Sequence, residues 1–102
     1  MQKYAISVKF ITQDEKRDEL LNYLLEAAGG MEDLETCNCY IVGINEEEKN
    51  AVYVYEVWES KAAHQASLTI PASQELIKKA KPMIVGMESY PELSIVGGKA
   101  KL

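Results

Sequence analysis

The chain has 102 residues and a formal charge of −5, from 16 acidic and 11 basic side chains. That size fits one domain, residues 1–102, in which roughly a third of the unfolded chain's surface stays exposed. The acid excess repels phosphate backbones and anionic lipids, and no apolar run nears the ~20 residues that span a bilayer, so neither nucleic acid nor membrane is an expected partner.

Residues 3–11 alternate, with Tyr4, Ile6, Val8 and Phe10 on one side and Ala5, Ser7, Lys9 and Ile11 on the other, the pattern of a strand. Thr12 and Glu15 then make a capping box for a helix whose stripe is Leu20, Leu21, Leu24, Leu25 and Ala28, and Gly29-Gly30 ends it. A second strand is expected from Glu35 to Ile44. In it Cys37 and Cys39 flank Asn38 and point to one face. That spacing suits a disulfide poorly and two thiolates leave a zinc site incomplete, so both read as reduced thiols, in keeping with a reducing compartment. Asn45–Asn50 is a polar turn, with Glu46, Glu47 and Glu48 at a solvated hairpin tip. Residues 51–58, β-branched or aromatic at nearly every position, return as a strand antiparallel to the second.

Ser60 caps a helix that opens at Lys61 and carries the only histidine, His64. Pro71 suits the first position of a further helix, with Leu76, Ile77, Ala80, Met83 and Ile84 on its apolar stripe until Pro82 kinks or ends it. A last strand, Leu93–Val96, follows Pro91, and Gly97-Gly98 releases a basic tail. The order is β-α-β-β-α-β. It predicts an α+β, ferredoxin-like split βαβ fold with a four-stranded antiparallel sheet backed by two helices. Met1-Gln2-Lys3 leads into an alternating segment and not the continuous apolar run of a signal peptide, so the expected address is cytoplasmic.

Two helices cover one sheet face, yet the hairpin is apolar on both. Tyr53, Tyr55 and Val57 alternate with Val52, Val54 and Trp58, and Cys37, Cys39 and Ile41 with Tyr40, Val42 and Ile44. A homodimer with its two sheets face to face is therefore expected. Burying ~600 Å² of apolar surface per partner gives a gross term of order 10 kcal/mol or more, above the usual association cost.

The run Tyr55-Glu56-Val57-Trp58-Glu59-Ser60, the helix after it with His64, Leu68 and Pro71, and the pair Cys37 and Tyr40 on the second strand resemble the antibiotic biosynthesis monooxygenase domains, a family that includes the quinol monooxygenases. The resemblance spans nearly the whole chain. It implies a dimeric α/β barrel and a cofactor-independent monooxygenase that takes dioxygen and a small quinol or polyphenol-like aromatic. The same scaffold hosts haem-degrading enzymes, isomerases and members without activity. A non-catalytic barrel that binds a small aromatic or signalling molecule is thus the alternative, and isomerisation of a small carbonyl compound by His64 or Glu56 a third. Ser67 and Ala72 stand where many members carry further histidines. The tryptophan near Ser67, the histidine near Ile77 and the first-strand asparagine of the haem-degrading members are missing, and His64 is the sole imidazole for axial ligation.

His64 and Trp58 are the candidate catalytic residues. His64 is the only side chain that titrates near neutrality unperturbed, and near a helix start the dipole lowers its pKa and keeps it a neutral base; the other reading is a packed or surface residue. Trp58 either offers its indole N–H to an oxygen intermediate or simply packs. Asn38, Tyr40, Tyr53, Tyr55 and Glu56 are candidate substrate contacts. The phenols orient an aromatic or make cross-strand pairs, Asn38 meets a substrate oxygen or faces water at a strand edge, and Glu56 pairs with Lys9 across the sheet or serves as a carboxylate base with a raised pKa. No phosphate loop or nucleophile elbow is present, and no flavin, nicotinamide, metal or other cofactor is expected.

Overall fold

The computed structural model describes residues 3–100; Met1-Gln2 and the end of the basic tail, Lys101-Leu102, lie outside the described residues. The elements run β1 (Lys3–Thr12), α1 (Arg17–Gly30), β2 (Cys37–Gly43), β3 (Ala51–Trp58), α2 (Lys61–Ser67), α3 (Pro71–Ala80), β4 (Ile84–Ser89) and β5 (Leu93–Ile95). They form one antiparallel sheet in the order β2-β3-β1-β4, with β5 also on β1, which is the α+β ferredoxin-like plan.

The fourth lane of that sheet holds two strands where the sequence predicts one. Val8 faces Ser89 and Ala5 faces Leu93, so three steps along β1 match four along the edge. The extra residue is a bulge at Tyr90–Glu92, where Pro91 has no N–H to give to a ladder. Tyr90 still donates its N–H to the Ser7 carbonyl at 3.1 Å. The pattern of Ile84–Ser89 is hidden in the sequence because Gly86 interrupts it; a Cβ there would stand in ordinary contact, 3.4 Å, with the Ile11 side chain.

Two helix ends differ from expectation. Thr12 stays in β1, buried, and its hydroxyl has no hydrogen-bond partner, so the capping box does not form. A tight turn from Gln13 to Lys16, with Glu15 in the left-handed region at φ 65°, instead delivers the chain to α1. At the other end Gly29 and Gly30 remain helical and Met31–Asp33 tightens into a 3₁₀ turn. Neither glycine adopts the positive φ that a glycine stop uses. Pro71 and Ser60 do begin their helices, and Pro82 sits in the short 3₁₀ turn that ends α3.

The core lies between one sheet face and the helices. Leu20 and Leu24 of α1 meet Val52 and Val54 of β3, and Ala80 and Met83 close the far side. Strand register assigns the faces: Tyr4, Ile6, Val8 and Phe10 share the helix side with Trp58, Glu56, Val54 and Val52. The opposite face carries Ile41, Tyr55 and Leu93 at 39 to 55% exposure with no helix over them. Among the described residues no helix is long and apolar enough to cross a membrane.

Candidate functional site

Ser60 breaks from β3 in an extended conformation and its Oγ accepts the Ala63 N–H at 3.0 Å, which starts α2. The fourth residue of that helix, His64, turns back toward the sheet, and Ser67 donates to its carbonyl at 2.6 Å. Beneath it, the two-residue period of β3 brings Glu56 and Trp58 to the same face. The Trp58 indole N–H donates to Glu56 Oε1 at 2.9 Å, and His64 Nε2 lies 3.8 Å from that oxygen. The imidazole is edge-on to Trp58, 5.5 Å between centroids, and tilted against Tyr4 at 5.9 Å.

This cluster forms the polar floor of a cavity of about 320 Å³ between sheet and helices. Its walls are apolar: Leu20 and Leu24 from α1, Phe10 and Val54 from the sheet, Leu76 and Ala80 from α3. Leu68, Ile77 and Met87 stand partly exposed at the rim. Tyr40 also lines it, and no hydrogen bond of the described residues engages its hydroxyl.

Burial sets the charge states. It pushes the Glu56 carboxyl above its ordinary value, with the Trp58 N–H opposing, and it pushes the Tyr40 phenol up, so that Tyr40 stays a donor. Burial likewise lowers the His64 pKa, with the Glu92 charge opposing, so the imidazole is neutral at pH 7. The expected cause, a helix-start dipole, is not the operative one, since His64 sits midway along a helix of seven residues. Neutral His64 and Glu56 at 3.8 Å are not an ion pair; they become one when the imidazole takes a proton.

Of the residues singled out in the sequence, His64, Trp58, Glu56 and Tyr40 meet at the cavity. Tyr53 and Tyr55 do not, because register with Lys9 and Ser7 places them on the uncovered face. The expected Glu56–Lys9 pair is ruled out by the same parity: Lys9 instead binds Glu48, with Glu88 at 3.8 Å, and Tyr53 donates to Glu48. Asn38 is exposed at a register shift in β2 and does not line the cavity. That shift also separates the cysteines. Cys37 faces Trp58 and Cys39 faces Val57, adjacent residues of β3, so the thiols point to opposite faces and not to one. Both are free, and burial raises both thiol pKa values. Tyr4 is the site residue that sequence reasoning passed over; its parity with Phe10 was the available signal.

The fold and its chamber define a ferredoxin-like α+β domain with an apolar cavity over a carboxylate–imidazole–indole floor. The chain belongs to the antibiotic biosynthesis monooxygenase family, whose profile matches residues 4–79. A candidate antibiotic biosynthesis monooxygenase of Chloroflexus aurantiacus is 30% identical over 96% of this chain and 97% of its own, with a TM-score of 0.85. Another from Bacteroides thetaiotaomicron has 18% identity, coverage of 98% and 95%, and a TM-score of 0.85. One from Deinococcus radiodurans has 16% identity, coverage of 97% and 96%, and a TM-score of 0.76, and these last two likenesses speak for the fold alone. No curated protein matches the sequence.

Proposed function

We propose that this chain is a homodimeric, cofactor-independent monooxygenase acting on a small quinol or polyphenol-like aromatic. The supporting observation is the neutral imidazole of His64, held over an apolar cavity and 3.8 Å from a buried carboxylate. A hydroquinone and dioxygen balance as hydroxyquinone and water, the substrate supplying all the electrons. What the protein must supply is small. His64 accepts the phenolic proton, Glu56 becomes the counter-ion of the imidazolium, Tyr40 donates to the developing oxyanion, and the apolar walls keep out water. The uncovered sheet face, Tyr53 and Tyr55 included, is assigned to the subunit interface. The free thiols suit a cytoplasmic address.

A non-catalytic binder is the second reading, favoured by one observation. Trp58 is fully buried and its N–H is already given to Glu56, so it has no free proton to offer an oxygen intermediate.

Oxygen uptake with a panel of reduced quinones and polyphenols tests the proposal. The expected result is catalytic consumption that falls roughly 10²-fold or more in His64→Ala. Uptake unchanged in that variant across pH 6 to 8 removes His64 from the mechanism, and saturable binding without uptake establishes the binder.

A further inference from the structure

The edge bulge at Tyr90–Glu92 is remote from His64 in sequence yet touches it through two residues. Tyr4 donates its phenolic proton to Glu92 Oε1 at 2.9 Å while its ring leans on the imidazole at 5.9 Å. Lys61, one turn before His64 on α2, brings its Nζ to 3.1 Å from Glu92 Oε1 and 3.3 Å from Oε2. In an unbroken edge strand residue 92 would share the uncovered face with Gly86 and Glu88, which oppose Ile11 and Lys9. The extra residue reverses that parity: beyond it Leu93 opposes Ala5 on the uncovered face, and its neighbours Glu92 and Ser94 come to the helix side.

From this geometry we infer that Glu92 is a positioning residue for His64, joining α2 through Lys61 to β1 through Tyr4 and so holding the imidazole over Glu56. The inference rests on the reading of His64 as the proton acceptor. Lys61 and Tyr4 hold the Glu92 carboxyl below its ordinary range, so it is an anion at neutral pH. Burial first, then Glu92, pushes the Tyr4 phenol up to about 12, which keeps it a donor. The titratable and charged groups facing His64 are Glu56 from β3, Tyr4 from β1 and Glu92 from the bulge, with Lys61 on its own helix and Tyr40 and Lys81 across the cavity. Glu92 alone among them both raises the imidazole pKa and bonds to its neighbours on two elements.

The single histidine makes its NMR titration unambiguous and independent of turnover. In Glu92→Gln the His64 pKa should fall by a few tenths of a pH unit, the size that a partly exposed ion pair supports, and the ring protons should shift as Tyr4 moves. Tyr4→Phe, which keeps the ring and loses the hydroxyl, should reproduce the ring-proton shift. Where oxygen uptake is found, the acid limb of kcat should move with the NMR value while KM changes little. A His64 titration and ring-proton spectrum identical to the parent in Glu92→Gln overturns the positioning role. A shifted titration in a protein that consumes no oxygen leaves that role standing and removes the proposed reaction.

Discussion

Glu56 and Trp58, two residues apart on one face of β3, satisfy each other: the buried carboxylate accepts the indole N–H at 2.9 Å. One is the only carboxylate lining the cavity among the described residues and the other its fully buried floor. A charge in that position is tolerated because a donor is built in beside it, and its net pKa shift is still upward.

The sign of that shift sets a pH dependence. A carboxyl whose folded pKa lies above its ordinary 4.5 contributes stability fully below that value and loses it as pH rises through the folded pKa. Glu56→Gln removes the cost of the buried charge. It should therefore be more stable than the parent at pH 7, with the gap closing near pH 4, in denaturant titrations at the two pH values.

Trp58→Phe keeps most of the buried ring but strips Glu56 of its donor. At pH 7 it should cost about 2 kcal/mol. In the Glu56→Gln background the cost should shrink, because a neutral amide suffers less from burial than a carboxylate. Additivity within about 0.5 kcal/mol in this double-mutant cycle would show that the two side chains are not coupled.

His64 has the opposite linkage. Its folded pKa lies below the ordinary 6.5, so the stability of the neutral form is complete above that pH and is lost as pH falls through the folded value. The parent should lose stability relative to His64→Gln between pH 7 and pH 5. Parallel melting curves across that range would contradict a half-buried, neutral imidazole.

Ser60→Ala deletes the hydroxyl that accepts the Ala63 N–H. About 1 kcal/mol of stability should go with it, and hydrogen exchange should rise in α2 before the sheet is affected.

The uncovered sheet face predicts self-association. Sedimentation at micromolar concentration should give twice the chain mass, and Tyr55→Glu or Ile41→Glu should return it to one. These side chains lie on the opposite face from the cavity, so the variants should keep their His64 titration. A parent protein that sediments as a single chain ends the dimer proposal.

The β3 strand, its Ser60 stop and the split βαβ order were legible in the sequence because each rests on local rules: period-two alternation, a side-chain cap, a proline with a fixed φ. The same alternation put Glu56 and Trp58 on one face of β3, and the double-sided apolar hairpin announced an uncovered sheet surface, but that Tyr40 joins them there, and Tyr53 and Tyr55 do not, was decided by the register between strands. What local rules do not carry is where the alternation breaks. Single-residue shifts at Asn38 and at Tyr90–Glu92 each exchange the two faces for everything beyond them, separating Cys37 from Cys39 and turning Glu92 toward His64. Thr12 and Glu15 had the spacing of a cap, but the ladder held Thr12 in the strand. The cavity and the neutral state of His64 were likewise decided only by packing, since volume and desolvation arise from residues distant in the chain that meet only once the sheet and its helices close around them.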